Sequence, residues 1–139
     1  MVMKNKNNNM KKLIPILTVF LSFFLFPSTS LGEWKHVTTS TKGDEFFVDY
    51  DRIRVNNGYV YYWTLNEYKE PLSGKYLSSR IYVMGDCKVF RFKPLSLSFF
   101  KGHMGKGDSV EVEGNDKWNY PNPKSGIEKI LNSVCERSN

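Results

Sequence analysis

Beyond residue 33 apolar positions mostly alternate with polar ones, and only the last stretch of chain changes to a helical spacing. Residues 34–38, with Trp34 and Val37, read as a weakly alternating first strand, and a polar turn through Ser40, Thr41, Lys42 and Gly43 follows. Residues 45–54 are rich in β-favouring side chains. Asn57 and Gly58 form a dipeptide that tolerates the positive φ of a tight turn, and residues 59–65 return as a strand, so a β-hairpin is predicted here. The polar stretch 66–74 contains Pro71 and reads as a loop leading to a strand over residues 76–84. Gly85 and Asp86 interrupt that run before residues 87–93 resume it, which predicts a bulge or a tight turn at Gly85. Pro94 has no N–H for a ladder and marks a kink or an edge. After it Leu95, Leu97 and Phe99 share one face and Ser96 and Ser98 the other, the period of a half-buried antiparallel strand. A glycine-rich loop (101–107), a short strand (109–113) and an extended connection (115–123) complete this part.

The chain ends in a helix. Ser125 and Glu128 stand in capping-box spacing, in which the hydroxyl and the carboxylate satisfy free backbone donors. Ile127, Ile130, Leu131, Val134 and Cys135 then recur on one stripe. A helix this short does not hold in water by itself, so the stripe must dock on the sheet. The expected class is α+β: an antiparallel sheet of about five or six strands with a C-terminal helix packed on it.

The N-terminal segment has a different pattern. Lys4, Lys6, Lys11 and Lys12 precede an apolar run from Leu13 to Phe26, the arrangement of a secretory signal. The run falls short of the roughly 20 apolar residues of a spanning helix. Pro27 and small residues follow, and cleavage after Ser30 or after Gly32 fits the small-x-small rule. Residues 1–32 are therefore expected to be a signal peptide and residues 33–139 one domain, with no stable membrane anchor after cleavage.

Removing the leader changes the charge. The formal net charge of +6 includes those four lysines, so the remaining domain is close to neutral. It carries no basic stripe of the kind that nucleic acid requires. Both cysteines, Cys87 and Cys135, fall in the exported part, where an even count reads as a structural disulfide. Closing a loop of this length is worth roughly 4 kcal/mol on the chain-entropy model. The bond would staple helix to sheet.

Candidate chemistry is sparse. Asp44, Glu45, Asp49 and Asp51 form an acidic cluster, and Asp49 with Asp51 project from one strand face where a cation could sit. Calcium loops, however, wrap their oxygens around a sharp turn, and this spacing is that of a strand, so a solvated face and no metal site are expected. His36 and His103 are the only imidazoles, and neither stands in a metal-ligand spacing. No nucleophile elbow is present, so neither catalytic residues nor cofactor-binding residues are expected and the protein reads as no enzyme. Gly102, Gly105 and Gly107 are not followed by the Lys-Ser/Thr and helix of a phosphate loop, and they read as a turn. Tyr59, Tyr61 and Trp63 share a hairpin face with Phe46 or Phe47 across from them and are expected in the core. Tyr62 and Tyr82 are expected to be exposed, and exposed tyrosines are good interface anchors.

Taken in order, Trp34, the hairpin from Tyr50 to Trp63, Asp86-Cys87, Met104-Gly105-Lys106-Gly107, Trp118 and the final Cys135 resemble the surface-adhesin protein E family of small exported bacterial proteins. The resemblance implies an antiparallel sheet carrying a C-terminal helix and a disulfide between Cys87 and Cys135. It also implies adhesin-like binding of host extracellular-matrix proteins, as in the characterised branch. The expectation is an exported, non-enzymatic binding module in the periplasm or at the cell surface, with a protein ligand. A homodimer joined edge to edge is the expected assembly. The alternative is a periplasmic housekeeping or structural domain.

Overall fold

One long strand organises the sheet. In the computed structural model, which describes residues 32–139, β4 (Tyr59–Leu72) carries β2 (Glu45–Val48) and β3 (Arg54–Asn56) in succession along one edge and β5 (Tyr76–Asp86) along the other. β1 (Lys35–Thr39) lies beyond β2, while β6 (Arg91–Phe100) and β7 (Ser109–Glu113) lie beyond β5, every pairing antiparallel. Helix α1 (Gly126–Ser138) follows. The expected class is present, with seven strands in place of five or six. The leader assigned to residues 1–32 lies, but for Gly32, outside the described residues.

The additional strand originates at Asp49. This residue is fully buried, and its carboxylate accepts the Asp51 N–H at 3.2 Å and the Arg52 guanidinium, while its own N–H donates to the Trp63 carbonyl at 3.2 Å. An aspartate that caps the chain two residues on favours a turn over an extended ladder. The run 45–54 therefore breaks at a single turn of 3₁₀ helix, Tyr50–Arg52. That turn crosses the sheet edge: the Tyr50 hydroxyl bonds Ser133 of α1, and Arg52 lies over Trp34 and Trp63.

Three local expectations change. Residues 66–72 belong to β4, and the hairpin turns at Ser73 and Gly74, both at positive φ, so Pro71 sits in the strand where its register shifts. Gly85 does not interrupt β5, which runs on to Asp86; the turn lies at residues 87–90. The bulge falls instead on β6, where Tyr82 pairs with Ser96 but Val83 pairs with Pro94, and Leu95 is the extra residue. The Asn57-Gly58 turn forms as predicted, with φ of 51° and 79°.

Alternation gives the sheet two faces, and α1 covers one of them. Val48, Val60, Tyr62 and Val83 meet Ile130, Leu131 and Val134 in the buried core. The close approach depends on Gly85, where a Cβ would lie 2.9 Å from Leu131 Cδ1 and 3.0 Å from Val60 Cγ1. Tyr62 is 1% exposed, and burial pushes its phenol pKa up. Tyr62 therefore lies in the core and not outside as expected, while Tyr59, Tyr61 and Trp63 lie on the opposite face and are only partly buried, as is Tyr82, which was expected to be exposed; Gly85 gives the Tyr62 face its close approach to the helix. Ser125 Oγ accepts the Glu128 N–H at 3.1 Å, and the Glu128 carboxylate returns to the N–H of Lys124 at 3.3 Å, one residue earlier than in a standard box. Cys87 and Cys135 are disulfide-bonded with their Cα atoms 5.7 Å apart. Toward β6 the helix leaves an apolar cleft of about 240 Å³, into which the half-exposed Ile127 faces.

Two stability tests follow from this core. Cys135→Ser is expected to lower the unfolding free energy by about 2–5 kcal/mol, measured by urea titration of the oxidised protein, and an unchanged midpoint contradicts the tether. Gly85→Ala forces Leu131 or Val60 to shift and is expected to cost roughly 1–3 kcal/mol in the same assay, whereas a neutral result shows that the helix has room to spare.

Candidate binding face

The face opposite α1 is built from same-parity positions. Pairing register places Trp63 beside Tyr82 and Tyr61 beside Met84. The Trp63 and Tyr82 rings stack with centroids 4.8 Å apart, and Tyr61 lies 6.2 Å from Tyr82. Cations are interleaved with these rings: Arg52 lies 5.7 Å and Arg80 5.5 Å from the Trp63 centroid, and Arg80 is also 5.3 Å from Phe100. Each ring offers a negative face to a guanidinium, worth ~0.5–2 kcal/mol depending on solvation. The face thus orders its own side chains, with no helix or strand laid over it among the described residues.

Both ends of this strip are closed. At one end the glycine-rich loop folds over Leu65, which is fully buried, with Gly105 and Gly107 at positive φ as the turn reading expected. Ser78 Oγ donates to the Gly102 carbonyl at 2.7 Å and accepts the Gly105 N–H at 2.9 Å, and Glu67 accepts from His103 and from the Met104 N–H. At the other end Trp118 is clamped by Arg91 at 4.3 Å and Lys93 at 4.7 Å and lies 5.5 Å from Tyr59. The segment carrying Trp118 is held by two hydrogen bonds between Phe92 and Asn119.

Asp86 links this end to the disulfide. It is 5% exposed, and its carboxylate accepts the N–H groups of Lys88 and Val89, each at 3.1 Å, and the Arg91 guanidinium at 3.0 Å. Burial by itself would raise its pKa. The Val89 amide, Arg91 and the Lys88 amide outweigh that effect and hold the carboxyl below its usual range. The turn that Asp86 organises begins at Cys87, so an aspartate immediately before the cysteine has a physical role.

The residues singled out in the sequence do not converge on one site. Asp44 accepts the Lys69 N–H at 2.9 Å, Glu45 lies 3.8 Å from His36, Asp49 is buried against Arg52, and Asp51 is exposed. The expected pairing of Asp49 and Asp51 on one strand face is replaced by the capped turn. His36 packs against Phe47 and His103 against Glu67, far apart on the chain. Phe47 shares the Trp63 face and Phe46 the helix face, since they pair with Leu65 and Asn66. The arginines escaped notice because each is an ordinary surface residue until the register is known. Their spacing of two from an aromatic or another cation, as in Arg80 and Tyr82, was the available signal.

A sheet clamped to one helix, with an aromatic and cationic surface on its other side, defines a small α+β domain. The chain belongs to the surface-adhesin protein E family, whose profile matches residues 34–136. Among solved structures, crystal form II of Haemophilus influenzae protein E is 13% identical over 79% of this chain and 92% of that one, with a TM-score of 0.61. The selenomethionine form of the same protein is 15% identical over 79% and 91%, with a TM-score of 0.56. Protein E from non-typeable Haemophilus influenzae is 13% identical over 79% and 80%, with a TM-score of 0.52. At these identities the likeness carries the fold. No curated protein matches the chain. Among the described residues no helix is long and apolar enough to cross a membrane.

The lowered pKa of Asp86 has a definite sign. A depressed carboxyl stabilises the fold above its unfolded pKa, near 4, and that contribution is lost as pH falls through the lower folded value. The stability advantage of wild type over Asp86→Asn is therefore expected to be constant near neutral pH and to shrink on acidification below about pH 4. Urea midpoints measured across that range check it; an advantage that grows in acid contradicts the assignment.

Proposed function

We propose that the protein is an exported, non-enzymatic, adhesin-like module that binds an extracellular-matrix protein through the sheet face opposite α1. Family membership supports the adhesin role, and the observation that carries the choice of surface is the stacked Trp63–Tyr82 pair interleaved with Arg52 and Arg80 on a face that no helix covers among the described residues. Tyr, Trp and Arg are the side chains that anchor protein interfaces, because they bury much area at small cost in conformational entropy. Export rests on the leader read in residues 1–32, cleaved after Ser30 or Gly32. The mature domain, residues 33–139, then resides in the periplasm or at the cell surface. The exposed edge strand β7, with Val110 and Val112 about half exposed, is where a second copy would pair edge to edge.

Solid-phase titration of the oxidised protein against immobilised laminin and vitronectin tests this reading. Saturable binding that resists salt is expected, and the double variant Tyr61→Ala/Tyr82→Ala is expected to weaken it by about tenfold or more at an unchanged melting temperature. Absence of saturable binding removes the adhesive role and favours a periplasmic housekeeping domain. Binding that survives the double substitution relocates the interface.

A further inference from the structure

On the same face, toward β7, the register builds a trough. Trp63, Tyr82, Ser96 and Glu113 form one cross-strand row, and Leu65, Arg80, Ser98 and Glu111 form the next. The two serines of β6 are small and make a floor. Trp63 and Arg80 stand on one side of it and Glu111 and Glu113 on the other, enclosing about 360 Å³. Rows two residues apart in a strand are separated by about 6.8 Å, so the trough spans a length comparable to one substituted sugar ring.

Arg80 is the anomalous group. Its guanidinium is held between the Trp63 and Phe100 rings, yet Nε is buried with no hydrogen-bond partner. The ion pairs among the described residues use Lys35, His36, Arg52, Arg91, Lys93, Lys101 and His103, and Arg80 takes part in none. Nε is sealed from solvent, so a ligand in the trough meets the terminal guanidinium nitrogens, and a guanidinium fixed by packing presents these in a set orientation to a carboxylate. The opposite wall limits the ligand. Glu111 and Glu113 repel a second negative charge but accept hydrogen bonds from hydroxyl groups, and Ser96 and Ser98 both donate and accept. Trp63 offers an apolar wall to a C–H face.

We propose that this trough is a subsite for a monocarboxylated sugar unit: the carboxylate on Arg80, the ring hydroxyls on Ser96, Ser98, Glu111 and Glu113, and one ring edge against Trp63. The assignment stands on the trough alone and does not require adhesion to matrix proteins. A polysulfated or phosphorylated ligand is disfavoured by the two glutamates, and a neutral sugar leaves Arg80 unanswered.

The test is titration of the whole oxidised protein with glucuronate and with N-acetylneuraminate, with glucose and acetate as controls. The readouts are the Trp63 indole N–H resonance and calorimetry. At least one acidic sugar is expected to bind saturably with a Kd of about a millimolar, about tenfold or more tighter than glucose or acetate. Arg80→Gln is expected to abolish the preference for the acid. Glu113→Gln, at an exposed edge position where folding is not at risk, is expected to weaken binding about threefold or more. The proposal is overturned if neither acidic sugar shifts the Trp63 resonance saturably, if glucose binds equally well, or if folded Glu113→Gln binds as wild type does. These outcomes are kept separate from the matrix assay by repeating that assay on enzymatically deglycosylated laminin and vitronectin, because both are glycoproteins that can carry acidic sugars.

Discussion

Docking of α1 on one face of the sheet is the constraint from which the rest of the structure follows. A helix of this length has no stability apart from its packing, so its position must be enforced from outside. Three contacts enforce it at different heights: Ile130, Leu131 and Val134 in the core, the Tyr50 hydroxyl on Ser133, and the Cys87–Cys135 bond. The disulfide acts at the end of β5 because Asp86 bends the chain there and presents Cys87 to the helix. A buried carboxylate, three donors and one sulfur bridge form a single corner.

Committing the helix to the Tyr62 face decides the chemistry of the other. The far side keeps Tyr61, Trp63 and Tyr82, which in a two-layer sandwich would be buried by a second element. Here the domain covers them partly with its own cations and closes the two ends with a loop and with Trp118. What remains open is aromatic and hydrogen-bonding, the composition on which the proposed binding role rests. The family assignment supports an adhesin-like role, and this surface is the one proposed to carry it.

Local features were legible in the sequence. The Asn57-Gly58 turn, the alternation of residues 59–65, the Ser125 cap and the stripe from Ile130 to Val134 each depend on neighbours within a few positions. Features decided by distant contacts were not. Residues 59–65 are apolar at both parities, so alternation divides them into two faces without saying which one meets the helix. Gly85, lying across from Val60 in the adjacent strand, settles it. Asp49 reads as a strand-face acid and becomes a turn cap only because Arg52 and burial surround it. Arg80 carries no signal until pairing places it between Trp63 and Phe100.

The central claim is that one tether divides the sheet into a face covered at Tyr62 by the helix and an open one, and hydroxyl-radical footprinting with mass spectrometry tests it most directly. In the oxidised protein Tyr61 and Tyr82 should be modified, with the well-exposed Tyr120 as an internal reference, while Tyr62 stays protected. Reducing the disulfide should raise the labelling of Tyr62 selectively. Labelling of Tyr62 as fast as Tyr61 in the oxidised protein would contradict the account.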